Sequence, residues 1–273
     1  MANTVQYKTR TADTSRGLSA GLWADCPLDD LRNGHVDGQI IDDDFNVVNG
    51  TLTAVTTDAV LAGIPYRGFG SAGATLLAGT ELGGTMVLTE ATANEAAFIR
   101  SNLTPFQISS ALGDLWFEAR VKVSSITNLG MIVGLWDLVS CTVDIPLSAA
   151  DPPIMATTGN FVGFRMPEAA GTVDTIYKAD GIAVVAGQTI NTACTTLVAN
   201  TYVKLGMRFE RRTGLLSWYV NGVPCANTKA VPNATGTDFP ADVQLGLLFG
   251  QKLVATAAGV VTIDRWTCAQ LYV

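Results

Sequence analysis

Residues 201–224, TYVKLGMRFERRTGLLSWYVNGVP, constrain the fold more than any other stretch. Val203, Leu205, Met207 and Phe209 alternate with Lys204, Gly206, Arg208 and Glu210, a period of two that marks a strand with one buried face. Arg211-Arg212-Thr213-Gly214 follows as a polar turn whose glycine can take positive φ. Alternation resumes with Leu216, Trp218 and Val220 and closes on Asn221-Gly222, a strong turn dipeptide. The stretch is a β-hairpin.

From Gln39 onward the chain repeats this grammar, with short apolar segments divided by Gly, Pro, Asn and Asp. Ile40-Ile41, Thr51–Val55, Ala74–Leu77 and Thr85–Thr89 predict strands. Glu95–Ser101 could close a helical turn, but its surroundings favour a strand. Leu115–Val123 alternates cleanly, with Leu115, Phe117, Ala119, Val121 and Val123 inward and Glu118, Arg120 and Lys122 on a solvated face. Gly130–Trp136 is apolar on both faces and predicts a central strand. Asp144–Thr158 carries Pro146, Pro152 and Pro153, which cannot donate to a ladder, and predicts a loop. Asn160–Arg165, Thr175–Ala179, a segment within Gln188–Val198, Leu245–Phe249 and Val260–Tyr272 bring the total to about a dozen strands, the pattern of a sandwich or barrel. No helix is persuasive and no fixed-period repeat is present.

Residues 1–38 differ. They are polar and turn-rich, with apolar residues only in patches such as Val5 and Tyr7, Leu18, Leu22-Trp23, Leu28 and Leu31. This predicts an extended N-terminal arm, 1–38, preceding a sandwich domain, 39–273. Arg16, Leu18, Leu22 and Trp23 are its candidate contacts with a partner, the alternative being that Trp23 packs on its own domain. The opening residues lack the apolar core of a secretory signal, which predicts a protein made in the cytoplasm. Five cysteines without a close pair then predict free, buried thiols, and no zinc-type spacing occurs.

The 273 residues carry a net charge of −7, which speaks against nucleic acid and against anionic membranes as partners. Only 15% are charged, below the roughly 25% usual in soluble domains, so surface hidden against partner subunits is expected.

The order LWFEARVKV, MIVGLWD, NFVGFRM, TIYKADG, YVKLGMRFERRTGLLSWYVNGVP and VTIDRW resembles the concanavalin A-like (laminin-G-like) jelly-roll domain over Gln39–Val273. It is similar in particular to the versions found in virion structural proteins of tailed bacteriophages. The resemblance implies an all-β, antiparallel jelly-roll sandwich. It also implies a non-enzymatic virion protein that decorates or cements a capsid as a homo-oligomer, with a trimer expected, and so localisation to a virion assembled in a host cytoplasm. A carbohydrate-binding module for host or glycan attachment is the alternative, since this fold hosts lectins, hydrolases and adhesive modules.

Chemical constellations are sparse. Glucanases of the resembled superfamily carry E-x-D-x-x-E on one strand, whereas Glu118 stands alone with Arg120 where a second acid would be needed, so no catalytic pair is assigned. His35, the single histidine, lies in a turn without a nucleophile motif. Asp42, Asp43 and Asp44 are the weak metal candidates, read against calcium, but their spacing fits no EF-hand loop; no metal or cofactor is assigned. Trp136 and Trp218 are expected in the core. Tyr66, Trp116 and Tyr219 should face away from it, as a glycan platform or a subunit interface.

Overall fold

A computed structural model describes residues 12–46, 51–53 for the backbone, 56–61, 64–71, 73–81, 83–148, 155–167, 171–183, 188–232, 238–255 and 258–272. Val5, Tyr7 and the end of the expected strand Thr51–Val55 lie outside the described residues. In chain order the first elements are α1 (Ala20–Trp23), α2 (Leu28–Arg32), β1 (Gly38–Asp43), β2 (Thr51–Thr53), β3 (Ala59–Val60), β4 (Tyr66–Gly70), β5 (Thr75–Ala78) and β6 (Met86–Glu90). Then come β7 (Ala96–Ser101), β8 (Phe106–Gln107), β9 (Leu115–Val123), β10 (Leu129–Trp136), β11 (Phe161–Met166) and β12 (Thr172–Lys178). The last are β13 (Thr189–Thr196), β14 (Val203–Glu210), β15 (Leu215–Val220), β16 (Val223–Ala230), β17 (Gln244–Leu253) and β18 (Gly259–Leu271).

The strands form two antiparallel sheets packed face to face. The first runs β16-β15-β14-β9-β18-β6-β5-β2, with β1 also paired to β18. The second runs β13-β12-β11-β10-β17-β7-β4-β3, with β8 paired to β17. The expected hairpin is β14–β15, registered from Leu205 opposite Val220 to Glu210 opposite Leu215. Gly214 closes it at φ 66, and the next turn holds Asn221 at φ 50 and Gly222 at φ 77, the double positive φ that a tight hairpin turn needs. The predicted strand at Glu95–Ser101 is β7. Short helices α1 and α2 appear where none was expected; each is too brief to show a 3.6-residue period.

The main core lies between the sheets. Phe117, Val121, Leu205, Met207, Phe209 and Trp218 come from one sheet, and Val133, Leu135, Phe164, Leu247 and Phe249 from the other, all fully buried. The outer faces are not solvated sheets. Residues 12–37 fold back over the first as a strap, and the loop after β10 covers the second, each burying its own apolar cluster. This explains why β10 reads apolar on both faces: its outward Ile132 and Trp136 sit under the loop.

The thiol expectation is corrected at one pair. Cys194 of β13 and Cys225 of β16 form a disulfide across a Cα separation of 6.0 Å. Those strands are the edges of the two sheets, so the sandwich brings together cysteines 31 residues apart. Asn191 and Asn227 reinforce the seam: Asn227 N donates to Asn191 Oδ1 (2.8 Å), and Asn191 Nδ2 donates to Asn227 O (3.1 Å). Cys26, Cys141 and Cys268 are free.

Candidate functional site

The strap engages most residues singled out as contacts, but inside one chain. Leu22 and Trp23 are 1% and 3% exposed, packed with Leu31, Trp116 and Ala269, and with Leu18 and Tyr219 beside them. A glycine-bare landing admits the strap: a Cβ on Gly206 would lie 2.4 Å from Leu22 Cδ2, and one on Gly21 would lie 2.4 Å from Gly222 O. Polar contacts fasten it. Arg16 pairs with Asp264 (3.1 Å), which also takes Arg120 (2.6 Å). Lys204 Nζ donates to Asp13 Oδ2 and Gly17 O, and Arg208 pairs with Asp25, which accepts from Trp116 Nε1.

Several expectations change accordingly. Trp116 and Tyr219 do face away from the core, but the strap covers them, so Trp116 offers no open platform. Tyr66 is an inner-core residue; its hydroxyl accepts from Trp266 Nε1 (3.0 Å) and donates to Asp43. Glu118 is not on a solvated face and does not pair with Arg120. It is 4% exposed and accepts from Ser19 N (3.0 Å); burial pushes its carboxyl up, against the opposing pull of Ser19 and Lys204. The Asp42–Asp44 run is engaged by protein. Asp42 accepts from Arg265, Arg32 and Thr267, Asp43 caps Phe45 N, and Asp44 accepts from Asn46. Among the described residues no group of three or more His, Cys, Asp or Glu could hold a metal ion. His35 stands exposed in the turn after α2.

The described parts of the second cover are residues 137–148 and 155–160. Buried charges pin its main chain. Asp58 Oδ2 accepts from Cys141 N (3.0 Å). Lys252, 1% exposed, donates to Val143 O and to Asp144 Oδ1 (2.9 Å). Lys178, fully buried, donates to Thr157 O (2.8 Å) and Gly159 O; burial lowers its pKa to about 8 against the raising effect of Asp180 and Asp137. The loop buries Phe98, Ile132, Trp136, Phe161, Ile176 and Leu248.

At the margin of this cover a pocket of about 530 Å³ opens between the loop, β4 and the residues entering β7. Phe69, stacked on Phe98 with centroids 6.4 Å apart, supplies its aromatic wall. Thr57, Ser71, Ser140 and Thr142 place hydroxyls around it, and Asp58 and Glu95 supply two carboxylates. Asp58 is locked by Arg67 Nε (2.9 Å) and Arg100 Nε (2.8 Å). The Glu95 side chain has no hydrogen-bond or ion-pair partner among the described residues, while its main chain bonds to Thr92 O and Leu253 N. Cys141 forms part of the floor as a neutral thiol, its pKa raised by burial. A second opening of about 460 Å³ lies at one end of the sandwich, between Thr104, Leu138 and Val243. Its carboxylate, Asp137, is already taken by Asn160 N, Asn160 Nδ2 and Val139 N.

Sequence reasoning missed this pocket because its residues come from four separated segments. The one signal was the doubly apolar β10, which required an outer cover, and a cover has a margin.

No family model matches the chain, and no curated protein sequence matches it. Solved structures do. A protein of unknown function from Shewanella oneidensis MR-1 aligns over 94% of this chain and 97% of its own, with 12% identity and a TM-score of 0.54. Peanut lectin, solved with a nine-residue peptide, aligns over 86% and 99%, with 14% identity and a TM-score of 0.50. The carbohydrate recognition domain of Emp47p aligns over 85% and 100%, with 12% identity and a TM-score of 0.49. The fold is thus the expected concanavalin A-like jelly-roll sandwich.

Proposed function

We propose that the protein is a carbohydrate-binding module that takes a sugar residue in the pocket over Phe69. The observation that carries this reading is the pocket's lining: one aromatic wall, a ring of hydroxyls and one carboxylate left free. Sugars present apolar C–H faces that pack on aromatic rings and hydroxyls that exchange hydrogen bonds with Ser, Thr and carboxylate groups, so concavity with few placed polar groups suits them. The name of the peanut lectin makes sugars the first ligand class to test; the lining supplies the argument. Two-carboxylate hydrolysis needs a second free acid, and Asp58 is held between two arginines, so binding is the chemistry proposed.

The test is a glycan array followed by calorimetry on hits. Ser140 is exposed, and Ser140→Trp fills the pocket mouth without entering the core. Binding by the parent chain that Ser140→Trp abolishes is the expected result. Equal binding by both, or no binding to any glycan by the folded parent, sinks the reading.

Virion assembly through self-association is the second reading, favoured by Leu138, 58% exposed at the end opening, and by Leu103, 70% exposed beside Thr104. The arm-mediated form of that reading loses its apolar contacts, since Leu22 and Trp23 are buried within the chain. Light scattering on the purified protein decides: a trimer supports assembly, and a monomer at micromolar concentration removes it.

A further inference from the structure

We propose that the pocket over Phe69 selects sugars bearing a free amine, such as glucosamine residues, over uronic acids. This deepens the carbohydrate reading and rests on it. The inference comes from which charges around the pocket are already engaged. Its lining contains two acidic side chains and no Lys, Arg or His. The nearby cations all point elsewhere. Arg67 and Arg100 converge on the Asp58 carboxylate, and Arg67 Nη2 also donates to Asp58 O (2.6 Å). Lys252 is engaged by Val143 O and Asp144. Two guanidinium groups share the one Asp58 carboxylate and are held there, and the acidic side chain of the lining that takes no cation among the described residues is Glu95.

The neighbouring Glu90 feels that charge. It is fully buried, takes Ala91 N (2.9 Å) on Oε1 and leaves Oε2 without a partner. Its carboxyl is raised first by burial and further by the field of Glu95. A ligand ammonium would meet Glu95 as an ion pair, the hydroxyls of Ser140 and Thr142 as acceptors, and the face of Phe69 as an aromatic partner for its charge. A uronate would set its carboxylate against Glu95 with no cation to receive it. A neutral or N-acetylated sugar would keep the stacking and hydroxyl contacts and lose the charge pair.

The experiment is calorimetry on the full chain at mildly acidic pH with four tetrasaccharides: glucosamine, N-acetylglucosamine, glucose and a uronate. The glucosamine tetramer should bind about tenfold tighter than the two neutral ones, a ratio that added salt reduces, and the uronate should not bind detectably. Glu95→Gln should bring the amine-to-neutral ratio to within about twofold. Asp29→Asn, which removes an exposed acid on α2 of the strap, should leave the ratio unchanged. Equal affinity for amine and neutral tetramers overturns the amine preference while leaving sugar binding standing. A preference that survives Glu95→Gln, or that Asp29→Asn reduces equally, assigns it to the general negative field and overturns the role of Glu95. Binding to none of the four overturns the carbohydrate reading and this inference with it.

Discussion

The two sheets are covered by opposite strategies. The strap on the first sheet is a terminal segment, seated on glycines and fastened by side chains that reach in from the sandwich: Lys204, Arg120, Arg208 and Glu118. The loop on the second sheet is internal, tied at both ends by β10 and β11, and its main chain is held by fully or nearly fully buried Asp58, Lys178 and Lys252. A strap can lift while the sandwich persists. A loop tied at both ends cannot leave without drawing β10 and β11 with it, although both covers are held by buried charges: Lys204 under the strap is 1% exposed, as is Lys252 under the loop. The loop cover is therefore part of the core, and its rigid margin is where a shaped pocket can persist.

This contrast can be broken first at Asp58. Asp58→Ala leaves Arg100, whose side chain is 6% exposed, without its counter-ion and strands Cys141 N; the expected cost is about 3–5 kcal/mol, read from urea unfolding, with loss of the pocket. Reduction of Cys194–Cys225 touches neither cover and should cost about 2–4 kcal/mol, seen as a lower midpoint in reductant with both covers retained in the folded state. Gly206→Val places its side chain into Leu22 and should cost about 1–3 kcal/mol, confined to the strap: limited proteolysis should cut near residue 20 while the sandwich survives. Global unfolding in that variant would erase the distinction between the covers.

The smallest effect is one of pH. The Glu118 carboxyl is raised in the folded state, so its contribution is fully favourable below its ordinary value of about 4.5 and is lost as pH climbs through the raised folded value. Glu118→Gln keeps the acceptor for Ser19 N and should raise the Tm at neutral pH while leaving it unchanged in acid. Asp13 runs the other way: burial works to raise it, but hydrogen bonds from Lys204 and Ser15 hold it at about 2, so its grip on the strap is present above about pH 4 and fades toward pH 2. A Tm for Glu118→Gln that parallels the parent at every pH would remove the carboxylate from the account.

What could be read beforehand was whatever is local. Period-two alternation located β9, β14 and β15, and Asn221-Gly222 marked its turn, because those signals lie within a few residues. Trp116 was visible as an apolar residue on an outward position, the mark of a covered face but not of what covers it, whereas Trp136, expected in the core between the sheets, lies on the outer face of β10 under the loop. Lys178 and Lys252 carried no signal at all: Lys178 is satisfied by main-chain carbonyls, which every residue possesses, and Lys252 by one such carbonyl and by Asp144, 108 residues away in the chain. Cys194 and Cys225 were equally silent, since their pairing depends on which strands become sheet edges. Glu95 could not be singled out because its distinction is the absence of a partner, a property of three-dimensional surroundings.

Strand order carries one more implication. The strands that hold both sheets together in the middle, β17 and β18, are the last two of the eighteen described strands in chain order, and β18 alone pairs with β1, β6 and β9. On a ribosome, every neighbour they join is synthesised before they are. The nascent chain must therefore hold its hairpins and exposed apolar edges open until residues 244–271 emerge. Such late, long-range closure predicts slow folding and a dependence on chaperones that shield unpaired edges during synthesis.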